Sequence, residues 1–221
     1  MYNEWHRLKK RWRKVVLALA GLGGEASFKQ LKKKVGYPPS TLAYILQILK
    51  DKGFIKALSK GRYRLNYLTP LIYIDKQFIK KKSAYLGLLG LKMEREDPEY
   101  RVAISQLEKE GYGIARKVVV TTLKALQDWG EEIINDANFL LLKEEQLFDP
   151  KNTEKALKNK ITELIKEYFL IVDITSGPRT AAIALFKISI KNYIPVIYIR
   201  EDTGQLIWVS HPKELISYFL E

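Results

Sequence analysis

Leu42, Ile45, Leu46 and Leu49 recur at i, i+3, i+4 and i+7, the spacing of a single buried stripe on an α-helix. The same period puts Leu8, Trp12, Val15, Val16 and Leu19 on one side of a helix expected from Glu4 to Ala20, with Lys9, Lys10, Arg13 and Lys14 mostly off it. Gly21 to Gly24 ends that helix. Ser27 is placed to cap a short helix through Phe28, Leu31 and Val35 that stops at Gly36, and Pro38, Pro39 and Ser40 open a third. With its leucine stripe buried, the third helix turns Thr41, Tyr44, Gln47 and Ile48 outward. Beyond Gly53 the period drops to two: Phe54 to Leu58, a turn at Ser59, Lys60 and Gly61, then Arg62 to Leu68 form a hairpin with Arg62 and Arg64 on one face.

From residue 83 the pattern changes to short apolar runs alternating with helical stretches. Strands are expected at Ala84 to Leu91, Lys117 to Thr121, Phe139 to Leu142, Phe169 to Ile174, Ile194 to Ile199 and Leu206 to Val209. Helices are expected from Asp97 and Pro98 to Gly111, from Asn152 to Tyr168 and from Arg179 to Lys191. This alternation predicts an α/β fold with a Rossmann-like, mostly parallel sheet covered on both faces, preceded by a small α+β domain. The expected division is residues 1–70, a connector 71–82, and residues 83–221. Ligands on such sheets bind at the carboxyl ends of the strands near the topological switch, which selects the loops after Leu91 and after Ile174.

Charge sharpens this division. Residues 1–70 hold sixteen Lys or Arg against Glu4, Glu25 and Asp51, a balance of +13; the connector adds +3, and residues 83–221 carry −3. Positive charge confined to one end points to a module that docks on a polyanion. With no cysteine and only His6 and His211, disulfides and thiolate metal sites are excluded, and a metal centre would depend on carboxylates. No apolar run reaches the roughly 18 residues that cross a bilayer, and the start lacks a secretory pattern, so no membrane partner and a cytoplasmic location are expected.

The order helix, helix, helix, basic hairpin, with the run from Pro39 to Ile55, resembles the winged helix-turn-helix family over about the first 70 residues. The resemblance implies double-stranded DNA as partner. Ser40, Thr41, Tyr44 and Gln47 of the third helix would face the major groove, and Lys60, Arg62 and Arg64 of the wing would face backbone or minor groove.

In the second module, Asp173-Ile-Thr-Ser-Gly-Pro-Arg-Thr180 brings hydroxyls, a glycine and an arginine into a turn that starts a helix, a combination suited to an anion. Read without any family in mind, Thr175 and Ser176 serve equally well as helix caps and Arg179 as a surface charge. The strand ending in Asp-Ile-Thr, the glycine turn, the basic residue and the small-residue helix resemble the CRISPR-associated Rossmann-fold (CARF) domain over about residues 83–210. That family's usual Gly-Gly-Thr-Lys turn is here Ser176-Gly177-Pro178-Arg179. The resemblance implies a homodimer that senses a cyclic oligoadenylate, with cyclic tetra-adenylate as regulatory ligand and no cofactor or metal. Its implied contacts are Thr175, Ser176, Gly177, Arg179 and Thr180, joined by Lys92, Met93 and Glu94 from the first loop and by Thr121 at the end of the second strand.

Three functions follow from these readings. One is a CRISPR-linked transcription regulator that binds DNA and responds to the cyclic ligand. A second is a metal-independent ring nuclease, in which the ligand's ribose 2′-hydroxyl attacks its own phosphate and Lys92, Ser176 and Arg179 stabilise charge. The third is a DNA-binding protein whose α/β part senses an ordinary nucleotide or only dimerises; the absence of Gly-x-Gly-x-x-Gly after the first strand and of a Walker lysine motif counts against common nucleotides.

Overall fold

The structure is a computed structural model that describes residues 5–74, 79–80, 82–93 and 95–220. Helix α1 (Lys10–Ala20) comes first, then strand β1 (Glu25–Ser27), α2 (Phe28–Val35), α3 (Pro39–Asp51) and the hairpin β2 (Ile55–Ser59) and β3 (Arg62–Leu65). Ser27 makes the expected cap as one half of a reciprocal box with Gln30, and Gly36 closes α2 in the left-handed region at φ 73°. Pro39 occupies the first turn of α3, and Leu42, Ile45, Leu46 and Leu49 are buried together.

Two expectations for this part are corrected. Helix α1 starts at Lys10 instead of Glu4, which lies outside the described residues. Arg13 donates to the carbonyls of Leu8 and His6 at 3.0 Å each, so those acceptors are taken by a side chain. The strand after the turn ends at Leu65, because the amide of Leu68 donates to Ile165 O at 2.7 Å, well away from the hairpin. Strand β1 was not expected. It pairs antiparallel with β3, Ser27 opposite Arg62 and Glu25 opposite Arg64, and gives a three-stranded sheet of order β1-β3-β2.

The larger sheet has the order β6-β5-β4-β7-β8-β9, built from β4 (Ser83–Leu88), β5 (Ile114–Thr121), β6 (Asn138–Leu141), β7 (Phe169–Asp173), β8 (Val196–Ile199) and β9 (Leu206–Ser210). The first five are parallel and β9 runs antiparallel beside β8. In chain order this is 3-2-1-4-5-6, so the topology reverses between β4 and β7, the two strands whose loops the sequence selected. The period of two sorts the side chains of β4. Tyr85 and Leu89 join a core with α4 (Glu99–Lys109), whereas Ala84, Leu86 and Leu88 join one with α7 (Pro150–Glu167) and α8 (Arg179–Lys191).

The sheet's other connections are α5 (Leu123–Trp129), α6 (Glu144–Leu147) and a closing α9 (Pro212–Leu220), none of them foreseen as helices. Of the expected connector, residues 75–78 and 81 lie outside the described residues; Leu71–Ile74 is a short 3₁₀ turn. Leu68, Leu71 and Ile72 are buried in the same hydrophobic cluster as Leu19, Tyr85 and Phe169, so a continuous core runs from the basic helices to one face of the large sheet.

Candidate functional site

The loops after β4 and β7 meet across the switch point. A Cβ placed on Gly90 would lie 3.5 Å from the Gly177 amide nitrogen, and one on Gly177 would lie 2.9 Å from Leu88 Cβ. Gly177 also has φ 78°, so both backbone sign and space require glycine there. Around this contact opens a cleft of about 780 Å³ lined by both loops, by the start of α8 and by residues from α5 and α6.

Burial and hydrogen bonds set the shape of the second loop. Asp173 is buried at the end of β7 and accepts from Tyr85 Oη at 2.6 Å, from the Thr175 amide at 2.8 Å, and from the Thr175 hydroxyl. Burial holds its carboxyl above the usual carboxylate range, against the opposing pull of the bonds from Thr175 and Tyr85. Burial likewise pushes the Tyr85 phenol up, helped by the neighbouring Asp173 charge, so Tyr85 stays a neutral donor. The Thr175 hydroxyl in turn accepts from the Ile199 amide at 2.8 Å. This chain fixes the turn that follows: Ser176 is only 6% exposed, and its hydroxyl oxygen is buried with no hydrogen-bond partner among the described residues. No side chain among the described residues caps α8, whose first turn opens at Arg179. Amides at an uncapped helix start carry partial positive charge.

Only some of the expected contacts reach the cleft. Met93 (79% exposed, φ 47°), Thr175, Ser176, Gly177 and Arg179 line the cleft. Thr121 is buried and donates to Leu89 O at 3.0 Å and Thr180 donates to Leu147 O at 2.8 Å, and neither lines the cleft; Thr175 lines it with both hydroxyl functions already engaged. Lys92 turns from the cleft: its ammonium lies 5.5 Å from the Trp129 ring centroid and 3.7 Å from Glu132, while its amide donates to Asp128. Glu94 lies outside the described residues.

Sequence reasoning missed Lys124, Arg95, Phe148 and Tyr198, all lining the cleft. Arg95 is ion-paired with Glu99 and sits 3.8 Å from Glu201. Among the described residues, Lys124 and Arg179 are the cleft cations that carry no ion pair. Lys124 lies in the first turn of α5, which starts at a Thr122 cap that accepts from the Ala125 amide at 3.1 Å, and Thr122, Lys124 and Ala125 line the cleft. His211 stands apart: its Nδ1 accepts from the Lys213 amide at 3.0 Å and caps α9. No group of carboxylates and histidines that would hold a metal occurs among the described residues.

In the basic part, Ser40, Tyr44 (57% exposed) and Gln47 stand on the outer face of α3, and Thr41 is half-buried. Gln47 donates to Asp51 Oδ1 at 2.7 Å. Lys60 is exposed at the hairpin turn; Arg62 is paired with Glu25 at 3.0 Å, a contact created by β1, and Arg64 faces Lys56 across the hairpin. No helix among the described residues is long and apolar enough to cross a membrane.

No protein-family model and no curated protein matches the chain. Among solved structures it is similar to protein VC1899 from Vibrio cholerae, at 9% identity over 59% of this chain and 34% of that one, TM-score 0.47. It is also similar to Can2 from Sulfobacillus thermosulfidooxidans in complex with cyclic tetra-adenylate, at 15% identity over 61% and 37%, TM-score 0.44. A third is Enterococcus italicus Csm6 bound to cyclic hexa-2′-fluoro-hexa-dAMP, at 8% identity over 62% and 43%, TM-score 0.44. The matched regions span less than half the length of each of these three chains.

Proposed function

We propose that the chain is a ligand-responsive DNA-binding regulator, with a winged helix-turn-helix at residues 1–70 and a CARF-like domain at 83–221 that takes a cyclic oligoadenylate, cyclic tetra-adenylate in the first instance. The observation that carries the reading is the turn at the β4–β7 switch point. There an unpartnered Ser176 hydroxyl, an uncapped helix start and an unpaired Arg179 converge on one cleft, with Lys124 on another of its walls. Such a set suits a phosphodiester: amides and guanidinium take the oxygens, and the walls from Met93, Phe148 and Tyr198 offer apolar surface to bases. The ligand class rests on the resemblance of the Asp173–Thr180 stretch to its family.

A homodimer completes the reading. Ile183, Phe186 and Ile190 form an exposed apolar stripe at i, i+3 and i+7 on α8, the helix that begins at Arg179, which suits a second copy beside the cleft. DNA binding is supported by the charge of residues 1–70 and by the outward face of α3.

The test is equilibrium binding of labelled cyclic tetra-adenylate to the purified chain, with linear tetra-adenylate as control and the bound nucleotide analysed afterwards. Selective binding of intact cyclic ligand supports the sensor; linear product supports the ring-nuclease alternative. Absence of binding sinks both and leaves the cleft to another anion.

A further inference from the structure

A second concavity, of about 950 Å³, lies in the basic part between α1, the end of α2 and Tyr37. Its floor is largely carbon: Leu17 and Ala18 from α1, Val35 from α2, and the Tyr37 ring. Its rim carries Lys10, Arg11 and Lys14 from α1 and Lys34 from α2, and no carboxylate among the described residues lines it.

We propose that this groove docks an acidic amphipathic helix of a protein partner, aliphatic side chains on the floor and carboxylates on the rim. Charge complementarity selects the sign of the partner, and the floor selects its kind. A nucleic-acid backbone would use the rim and leave the aliphatic floor uncovered. A stacked base needs a free aromatic face, yet Lys14 lies 5.2 Å from the Tyr37 ring centroid and Arg13 5.9 Å from that of Trp5. An apolar stripe on a helix fits an aliphatic floor flanked by cations, the arrangement used when an amphipathic helix is laid in a groove. The groove belongs to α1 and α2, whereas the residues assigned to DNA lie on α3 and the hairpin, so the partner's seat is separate from theirs.

The test uses the full chain and a labelled helix-forming peptide with leucines at i, i+3, i+4 and i+7 and glutamates elsewhere, followed by fluorescence anisotropy. Saturable binding is expected, weakened at least about tenfold by K14E/K34E and by exchanging the peptide's leucines for serines. Leu17→Lys separates the two contributions: it adds charge but removes floor, and weaker binding is expected, with circular dichroism showing each variant folded. The proposal is overturned if the peptide does not bind, if Leu17→Lys tightens binding, or if polyglutamate or single-stranded oligothymidylate displaces the peptide as well as unlabelled peptide does.

Discussion

The hydroxyl of Thr69 accepts from the amide of Leu170 at 2.8 Å, across 101 positions of sequence, and it also donates to Tyr168 O at 2.8 Å. With Ile165 O accepting from the amides of Leu68 and Thr69, this pins the exit of the basic part to the end of α7 and the start of β7. The other end of β7 is Asp173, which shapes the turn at the switch point. One strand thus joins the two regions to which separate functions are assigned.

Thr69→Val keeps the shape and removes both bonds. The buried Leu170 amide is left without this acceptor, so unfolding free energy should fall by about 2 kcal/mol in a denaturant titration. In the proposed regulator, cyclic ligand should then change DNA affinity less than in wild type, with each ligand still bound alone. An undiminished response would mean the signal travels elsewhere.

Gly177→Ala meets Leu88 Cβ at 2.9 Å and must also hold φ 78°. Gly111→Ala, at φ 91° with nothing within 4 Å of the new carbon, carries only the backbone cost of about 1 kcal/mol. A larger loss of thermal stability is expected for Gly177→Ala, together with loss of ligand binding, which Gly111→Ala should retain.

Arg179→Ala and Lys124→Ala remove cations that carry no ion pair among the described residues. Each should leave the melting temperature within about 2 °C of wild type and weaken cyclic tetra-adenylate binding roughly 10- to 100-fold by calorimetry. Lys92→Ala should have a much smaller effect on binding, since its ammonium is engaged with Trp129 and Glu132. Equal losses for all three would indicate long-range charge alone.

Burial, and then the charge of Lys213, lowers the pKa of His211 from 6.5. The unfolded chain therefore takes up this proton first as pH falls, so the contribution is fully present above about pH 6.5 and is lost as pH drops through the lower folded value. His211→Asn keeps an acceptor for the cap without the titration. Its stability should fall less steeply than wild type between pH 7 and pH 5 in parallel thermal melts.

In the hairpin of the proposed regulator, Lys60→Ala should weaken duplex binding uniformly across sequences and reduce the salt slope by about one, the expectation for one lost phosphate contact. Arg62→Ala should do less, because Glu25 already neutralises that guanidinium. A gel shift across a salt series distinguishes them.

Much of what depends on neighbours within a few residues was legible in the sequence by itself, although the short, locally capped starts of α5, α6 and α9 were not. Ser27 with Gln30, Gly36, Pro39 and the leucine stripe of α3 form a local set of caps and a period, and Arg179–Lys191 and the parallel strands were equally readable from apolar runs and turn residues. Charge asymmetry and the Asp173–Thr180 turn were visible too. Tertiary structure alone decided the β1–β3 pairing that draws Glu25 onto Arg62, the meeting of the Lys124 helix with the loop of Arg179 at one cleft, and the turning of Lys92 toward Trp129. It also spent the hydroxyls of Thr121, Thr175 and Thr180 on partners 24 to 33 residues away and left that of Ser176 unpartnered. A side chain's type states which bonds it can make; only the packing of distant segments determines which of those bonds are already made and which remain for a ligand.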